Sequence, residues 1–303
     1  MIPNGLHHIT CVTVDARACV DFYTRVLGLK LVKKTINQDV PTVWHLFFGD
    51  DNASPGMDLT FFEFQGLPPV VAGSGAAHTI RWRVANEDAL DFWERRLAEE
   101  RVGTQRENGS LHFSDRESLG HELIVAGTDE PPLTATSNDV PEEFALRGFD
   151  GLRIHSNDPD QSAATVRNLF GLSGDGAVAE GKGPSRSAKL LFEEAPPTNH
   201  IQGAGAVHHI AWTATEGDGD LEAWRLKIAN AGLRPTEMID RFWFHSVYFR
   251  TPDGLLHEFA TPGPGFTVDE PLESLGSKIV LPPQFESQRA QIEAALTPLS
   301  PDA

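Results

Sequence analysis

Cysteine is scarce in this chain: 303 residues contain two, Cys11 and Cys19. Two thiols make no disulfide framework. The first falls in a predicted strand and the second in a predicted helix, so both are expected to be reduced and partly buried. Basic residues are also few. Twenty-five Lys and Arg against 43 Asp and Glu leave a formal net charge of −18. Like charges repel at long range, which argues against nucleic acid or anionic lipid as a partner. No apolar run approaches the roughly 20 residues that a bilayer-crossing helix needs. The opening MIPNGLHHIT lacks the basic stretch followed by an apolar one that marks a secretory leader. A soluble, cytoplasmic protein is expected. Core-forming residues are plentiful: 40% of the chain is hydrophobic, with 18 Phe and 6 Trp. That suffices for one large or two medium domains.

A pattern recurs four times. At residues 5–28, the short apolar strand LHHITCVTV leads to Asp15, then to the helical stretch ARACVDFYTRV, then to Gly28. Asp15 can cap the helix at its start, and Gly28 can take the left-handed conformation that closes it. The series AAHTIRWRV, Asn86, EDALDFWERRLAEER, Gly103 repeats this, and so does DGLRIHS, Asp158-Pro159, QSAATVRNLF, Gly171. A fourth copy runs AVHHIAWTA, EGDGD, LEAWRLKIANA, Gly232. Strand-like pieces separated by turn residues follow each helix; TPDGLLHEF carries a Pro-Asp-Gly turn signal. The reading is four βαβββ modules, beginning near residues 5, 75, 150 and 205. A Pro/Thr/Asp-rich linker occupies 131–147, and a tail over 263–303 contains an amphipathic helix at about 284–297.

This four-module pattern resembles the vicinal oxygen chelate superfamily, which includes glyoxalases, extradiol dioxygenases and fosfomycin-resistance proteins. The resemblance implies an α+β fold in which paired modules curl their strands into open cup-like β-barrels, with a metal inside a cup. It divides the chain into glyoxalase-like domains at 4–130 and 148–262, each of two modules. Aligning the first strands on their flanking residues places His8, His78, Ile154 and His209 in equivalent positions. Aligning the last strands on GHEL and LHEF makes Glu122 and Glu258 equivalent, with Thr60 at that place in the first module. Modules one and four thus offer His8, His209 and Glu258 on an inner face. Two imidazoles and a carboxylate with open positions form the facial triad of non-haem Fe(II) oxygenases, where substrate and O2 can share one metal. Mn(II) is an alternative to Fe(II). In modules two and three Ile154 cannot ligate, so His78 and Glu122 are expected to form a vestigial site, and one metal per chain is expected.

A glyoxalase would need a second carboxylate where Thr60 stands. The stretch DRFWFHSVYF instead supplies Arg241, His245 and Tyr248 ahead of Glu258. Arg241 could hold an anionic oxygen, and Tyr248 could hydrogen-bond a phenolate. The doubled HHI pair, Thr10, Arg241, Tyr248 and Glu258 resemble ring-cleaving dioxygenases that open hydroquinones. The resemblance implies His8, His209 and Glu258 as metal ligands. It also implies that His7, Thr10, His208, Arg241 and Tyr248 line the pocket. The expected partners are a small aromatic substrate and O2; a homo-oligomer is compatible with the sequence. A neutral His7, His208 or His245 could shuttle a proton. A catechol dioxygenase, a metal-dependent isomerase of glyoxalase type and a metal-free binder of small aromatics are the alternatives.

Overall fold

The computed structural model describes residues 1–215 and 218–299. The first module consists of β1 (Leu6–Thr13), α1 (Ala16–Asp21), β2 (Lys30–Asn37), β3 (Val40–Gly49) and β4 (Asp58–Glu63). The second has β5 (Ala76–Val84), α2 (Glu87–Glu99), β6 (Thr104–Glu107), β7 (Ser110–Ser114) and β8 (Gly120–Val125). The third has β9 (Phe149–Ser156), α3 (Pro159–Phe170), β10 (Val178–Lys182) and β11 (Ser187–Glu194). The fourth has β12 (Val207–Thr213), α4 (Asp218–Asn230), β13 (Ile239–Asp240), β14 (Phe244–Arg250) and β15 (Leu256–Pro264). The third module is one strand short of the expected pattern. Its Gly-rich connection leaves only an isolated bridge, Ser173 with Glu180, where that strand would lie.

The helix starts follow from the sequence. Asp15, Asn86 and Asp158 each accept a hydrogen bond from the backbone N–H three residues on, satisfying one of the donors a first turn leaves free. Gly28, Gly171 and Gly232 have positive φ and close their helices as expected. Gly103 does not. Arg101 takes the left-handed conformation at φ 60°, and Val102 N–H reaches back to the Leu97 carbonyl at 2.8 Å. Tucking Val102 against the core draws the turn two residues ahead of the glycine.

The modules pair across the chain. One eight-stranded sheet has the order β13-β14-β15-β12-β1-β4-β3-β2, so it joins modules one and four; the seven-stranded sheet β10-β11-β9-β5-β8-β7-β6 joins two and three. At each centre two first strands run antiparallel, β1 with β12 and β5 with β9. Each first strand pairs in parallel with the last strand of its own module. The connections at 64–75 and 195–206 therefore lie between strands of different sheets, and each sheet draws on both halves of the sequence. Helices cover one face of each sheet, and Trp93, Trp82, Trp212 and Trp224 are completely buried there. Trp224 stacks on Phe259 with ring centroids 4.2 Å apart.

The tail returns to the first module. Residues 283–288 form a 3-10 turn and Arg289–Ala295 an α-helix (α5), within the expected helical span. Trp44 Nε1 donates to the Thr297 carbonyl at 2.8 Å, and Thr297 Oγ1 donates to Glu63 at 2.8 Å. Lys33, fully buried, is enclosed by Asp269, Glu270 and the rings of Trp243 and Phe266. No described helix is long and apolar enough to cross a membrane.

Candidate metal centre

Both His-His pairs fall on β-bulges. Between Leu6 and Ile9, β1 carries one residue more than β12; between Thr10 and Cys11 the reverse holds, and the extra residue is His208. A bulge breaks the strict alternation of side chains and re-aims one of them. Consecutive histidines can then stand one behind the other on the same side of the sheet, which a regular strand forbids.

His8, His209 and Glu258 converge at this seam. His8 Nε2 is 3.3 Å from His209 Nε2 and 3.2 Å from Glu258 Oε2, and His209 Nε2 is 2.8 Å from that same oxygen. All three side chains are buried; Glu258 has no exposed surface. Glu258 Oε1 accepts from the Ser246 hydroxyl, whereas Oε2 has no hydrogen-bond partner. A buried carboxylate oxygen without a donor is costly in a protein interior. Two facing ring nitrogens beside it make a donor set suited to a divalent metal ion. The residues present therefore fit such an ion.

Each inner histidine is backed by its neighbour. His8 Nδ1 lies 2.9 Å from His7 Nδ1, and His7 Nε2 lies 3.1 Å from the Thr261 carbonyl. A carbonyl can only accept, so His7 carries its proton on Nε2 and presents a bare Nδ1. That nitrogen must accept from His8 Nδ1–H, which frees His8 Nε2 as a lone pair directed at the triad. His209 Nδ1 is likewise 2.8 Å from His208 Nδ1. Metal-bound histidines are generally oriented by such a partner on the other ring nitrogen. Burial, with the adjacent His8, lowers His7 to about 3; burial, with His209, lowers His208 to about 3. Both are therefore neutral at ordinary pH.

A cleft opens from the triad. Phe47, Phe62, Trp243 and Phe244 give it aromatic walls, and His45, Arg241 and Tyr248 face it as well. His7, Thr10 and His208, expected on the wall, stand behind it: His7 and His208 orient the inner imidazoles, and Thr10 accepts a hydrogen bond from Thr60 at 2.8 Å. Arg241 is held by Asp39 through contacts of 3.2 and 3.0 Å, with its guanidinium 5.4 Å from the Tyr248 ring centre. Tyr248 meets the His209 ring edge-on at 5.7 Å, and burial raises its hydroxyl pKa, so it remains a donor. His245 lies off the cleft, 3.6 Å from Asp240. The sequence reading did not single out His45 or Ser246. His45 alternates with Phe47 along β3, and that period of two was the available signal.

The second sheet corrects the strand alignment. Its bulges fall at His78 and Asp150, so Ile80 and Leu152 are the ladder counterparts of Ile9 and Ile210. Thr79 and Gly151 therefore occupy the places of His8 and His209. Counting from flanking residues slipped because a bulge adds a residue without advancing the ladder. Ile154 is in the core, and the expected His78–Glu122 contact does not form. Glu122 is gripped by Arg81 at 3.0 Å and Arg153 at 2.7 Å. His78 instead stacks on His155, with centroids 3.9 Å apart and planes 16° apart, beside Glu193. Stacked rings send their lone pairs side by side and not toward a common point, and Arg153 engages Glu193. That cluster is a poor ion cage.

The fold and site define a superfamily. Residues 5–130 match the model of the Glyoxalase/Bleomycin resistance protein/Dioxygenase superfamily, and the chain belongs to it. Among its relatives is MhqA of Bacillus subtilis (strain 168), named as a candidate ring-cleaving dioxygenase. It is 37% identical over 98% of this chain and 99% of its own length. Another is chlorohydroquinone/hydroquinone 1,2-dioxygenase of Sphingobium indicum, 33% identical over 95% of this chain and 94% of its own. A crystal structure named as a candidate dioxygenase of Bacillus subtilis superposes with a TM-score of 0.89. It is 34% identical and covers 99% of this chain and 98% of that one.

Proposed function

We propose that the chain is a ring-cleaving dioxygenase that opens a dihydroxylated aromatic, most simply a hydroquinone, with O2. His8, His209 and Glu258 would hold Fe(II), with Mn(II) as the alternative. The observation that carries this reading is the buried triad with its unpartnered Glu258 Oε2, opening onto an aromatic-walled cleft. The two relatives named above, alike in length and sharing a third or more of its residues, support the same chemistry. The metal would supply Lewis acidity toward a phenolic hydroxyl and a site for O2.

The protein's own contribution is orientation and exclusion of water. His7 fixes the tautomer of His8, and His208 orients His209 through its Nδ1. Phe47, Phe62, Trp243 and Phe244 provide apolar surface for a ring. Tyr248, a protonated donor, can hold a phenolate oxygen, with Arg241 beside it. The glyoxalase alternative fares poorly, because the ladders pair Thr10 with Thr60 as they pair Arg81 with Glu122. Thr60 thus occupies the carboxylate place in the first module and is already bonded to Thr10 and His45. The test is anaerobic loading with Fe(II), followed by O2 uptake with hydroquinones, catechols and a methylglyoxal–thiol adduct. Uptake with hydroquinone and a ring-opened product is expected. Isomerisation of the thiol adduct without O2 uptake would overturn the assignment, and strong preference for catechol would correct the substrate.

A further inference from the structure

The polar groups on the cleft wall are nearly all committed. Arg241 and Asp39 hold each other, Asn37 Oδ1 accepts from the Asp39 and Val40 backbone, and Gln38 Nε2 donates to the Arg241 carbonyl. His45 differs. Its Nε2 lies 3.0 Å from Thr60 Oγ1, and Thr60 spends its own proton on Thr10 at 2.8 Å. Thr60 must therefore accept from His45, which puts the imidazole proton on Nε2 and leaves Nδ1 as a bare acceptor. Among the described residues, that nitrogen has no hydrogen-bond partner. The ring is held by Phe47 and Phe62, with centroids at 4.0 and 4.4 Å, so its direction is fixed by packing.

Resting on the ring-cleavage reading, we infer that His45 accepts a hydrogen bond from the substrate hydroxyl that does not reach the metal, and so selects 1,4-dihydroxylated rings. In a hydroquinone the second hydroxyl lies across the ring from the first. When one is at the triad, the other must be met by a different wall of the cleft. His45, on β3, lines the same cleft as His8 and His209. Burial, with His8, His209 and Arg241 nearby, lowers the His45 pKa well below its ordinary value, so the ring is neutral and able to accept. A hydroxyl donates to it directly; a methoxy group offers no proton and brings its oxygen lone pairs against that of the nitrogen.

The experiment compares binding of hydroquinone and 4-methoxyphenol to the Mn(II)-loaded enzyme under anaerobic conditions, for wild type, His45→Phe and His45→Gln. Wild type should favour hydroquinone by about tenfold or more, the scale of a buried acceptor satisfied against one left unpaired. His45→Phe should erase that preference by weakening hydroquinone while leaving 4-methoxyphenol within about twofold. His45→Gln, which keeps an acceptor oxygen, should restore part of it, and it carries the test if His45→Phe does not fold. Equal weakening of both ligands in His45→Phe, or a preference that survives the substitution, overturns the inference. So does a wild type with no preference. O2 uptake separates this from the reading it rests on. A wild type that takes up no O2 yet shows the His45-dependent preference refutes ring cleavage and supports the recognition role. Uptake with a preference indifferent to His45 does the opposite.

Discussion

Replacing His7 by Phe should weaken metal binding without touching a ligand. The aromatic ring is retained, and with it the packing on Phe244, whose centroid is 5.2 Å from that of His7. What disappears is the acceptor for His8 Nδ1–H. His7 is only 4% exposed, so water has little access to take its place. A buried donor left unpaired costs about 1–3 kcal/mol, or about 5- to 150-fold in a dissociation constant. Losing the outer partner of a metal-bound histidine generally costs 10–100-fold, which agrees. The metal-free protein should suffer less, because His8 can shift its proton to Nε2 and donate it to Glu258. His208→Phe makes the internal comparison. His208 is only half-buried, so water can replace it and the loss should stay near the lower end of the range. Competition with a chelator for Mn(II) measures the affinities, and urea unfolding of the metal-free proteins measures the background. Wild-type affinity in His7→Phe would refute the tautomer argument, and so would a larger loss in His208→Phe.

Arg241→Ala and Tyr248→Phe should retain full metal content but lose about tenfold or more in kcat/KM on hydroquinone; unchanged turnover in both removes them from the substrate site. Cys11 and Cys19 are buried and burial raises both thiol pKa values, so iodoacetamide at pH 8 should leave them unmodified in the native protein and alkylate both in guanidinium, as mass spectrometry would show. Burial lowers His121 to about 3, so between that value and the ordinary 6.5 the unfolded chain binds the proton that the folded one refuses. Stability therefore falls as pH drops through this window. At pH 5 the His121 share is about 2 kcal/mol, and His121→Gln should shrink the pH 7 to pH 5 difference in urea melts by about that amount. Lys33→Met strips the buried Glu270 of its counter-charge and should destabilise by about 3–5 kcal/mol in the same melts, whereas a loss under 1 kcal/mol would mean the tail is not anchored there.

Local chemistry was legible in the sequence. Capping residues at Asp15, Asn86 and Asp158, glycines at 28, 171 and 232, and the recurrence of strand, cap and helix announced the modules. These signals act over three or four residues, so the chain needs no distant partner to express them. The likeness of the first and fourth modules also brought His8, His209 and Glu258 together on paper. What the sequence could not decide was the ladder. The bulges at His7–His8, His208, His78 and Asp150 are visible only against a partner strand, because an extra residue is extra only relative to what lies opposite. That is why Thr79 and Gly151, and not His78 and Ile154, stand in the ligand places of the second sheet. The same holds for His45, whose bare nitrogen depends on a proton passed from Thr60 to Thr10 across two strand pairings, and for Lys33, neutralised by carboxylates more than two hundred residues away. Sequence spacing set which residues share a face of their own strand. Only the pairing of strands from opposite ends of the chain decided which of them meet, because hydrogen-bond register and buried charge are properties of two segments at once.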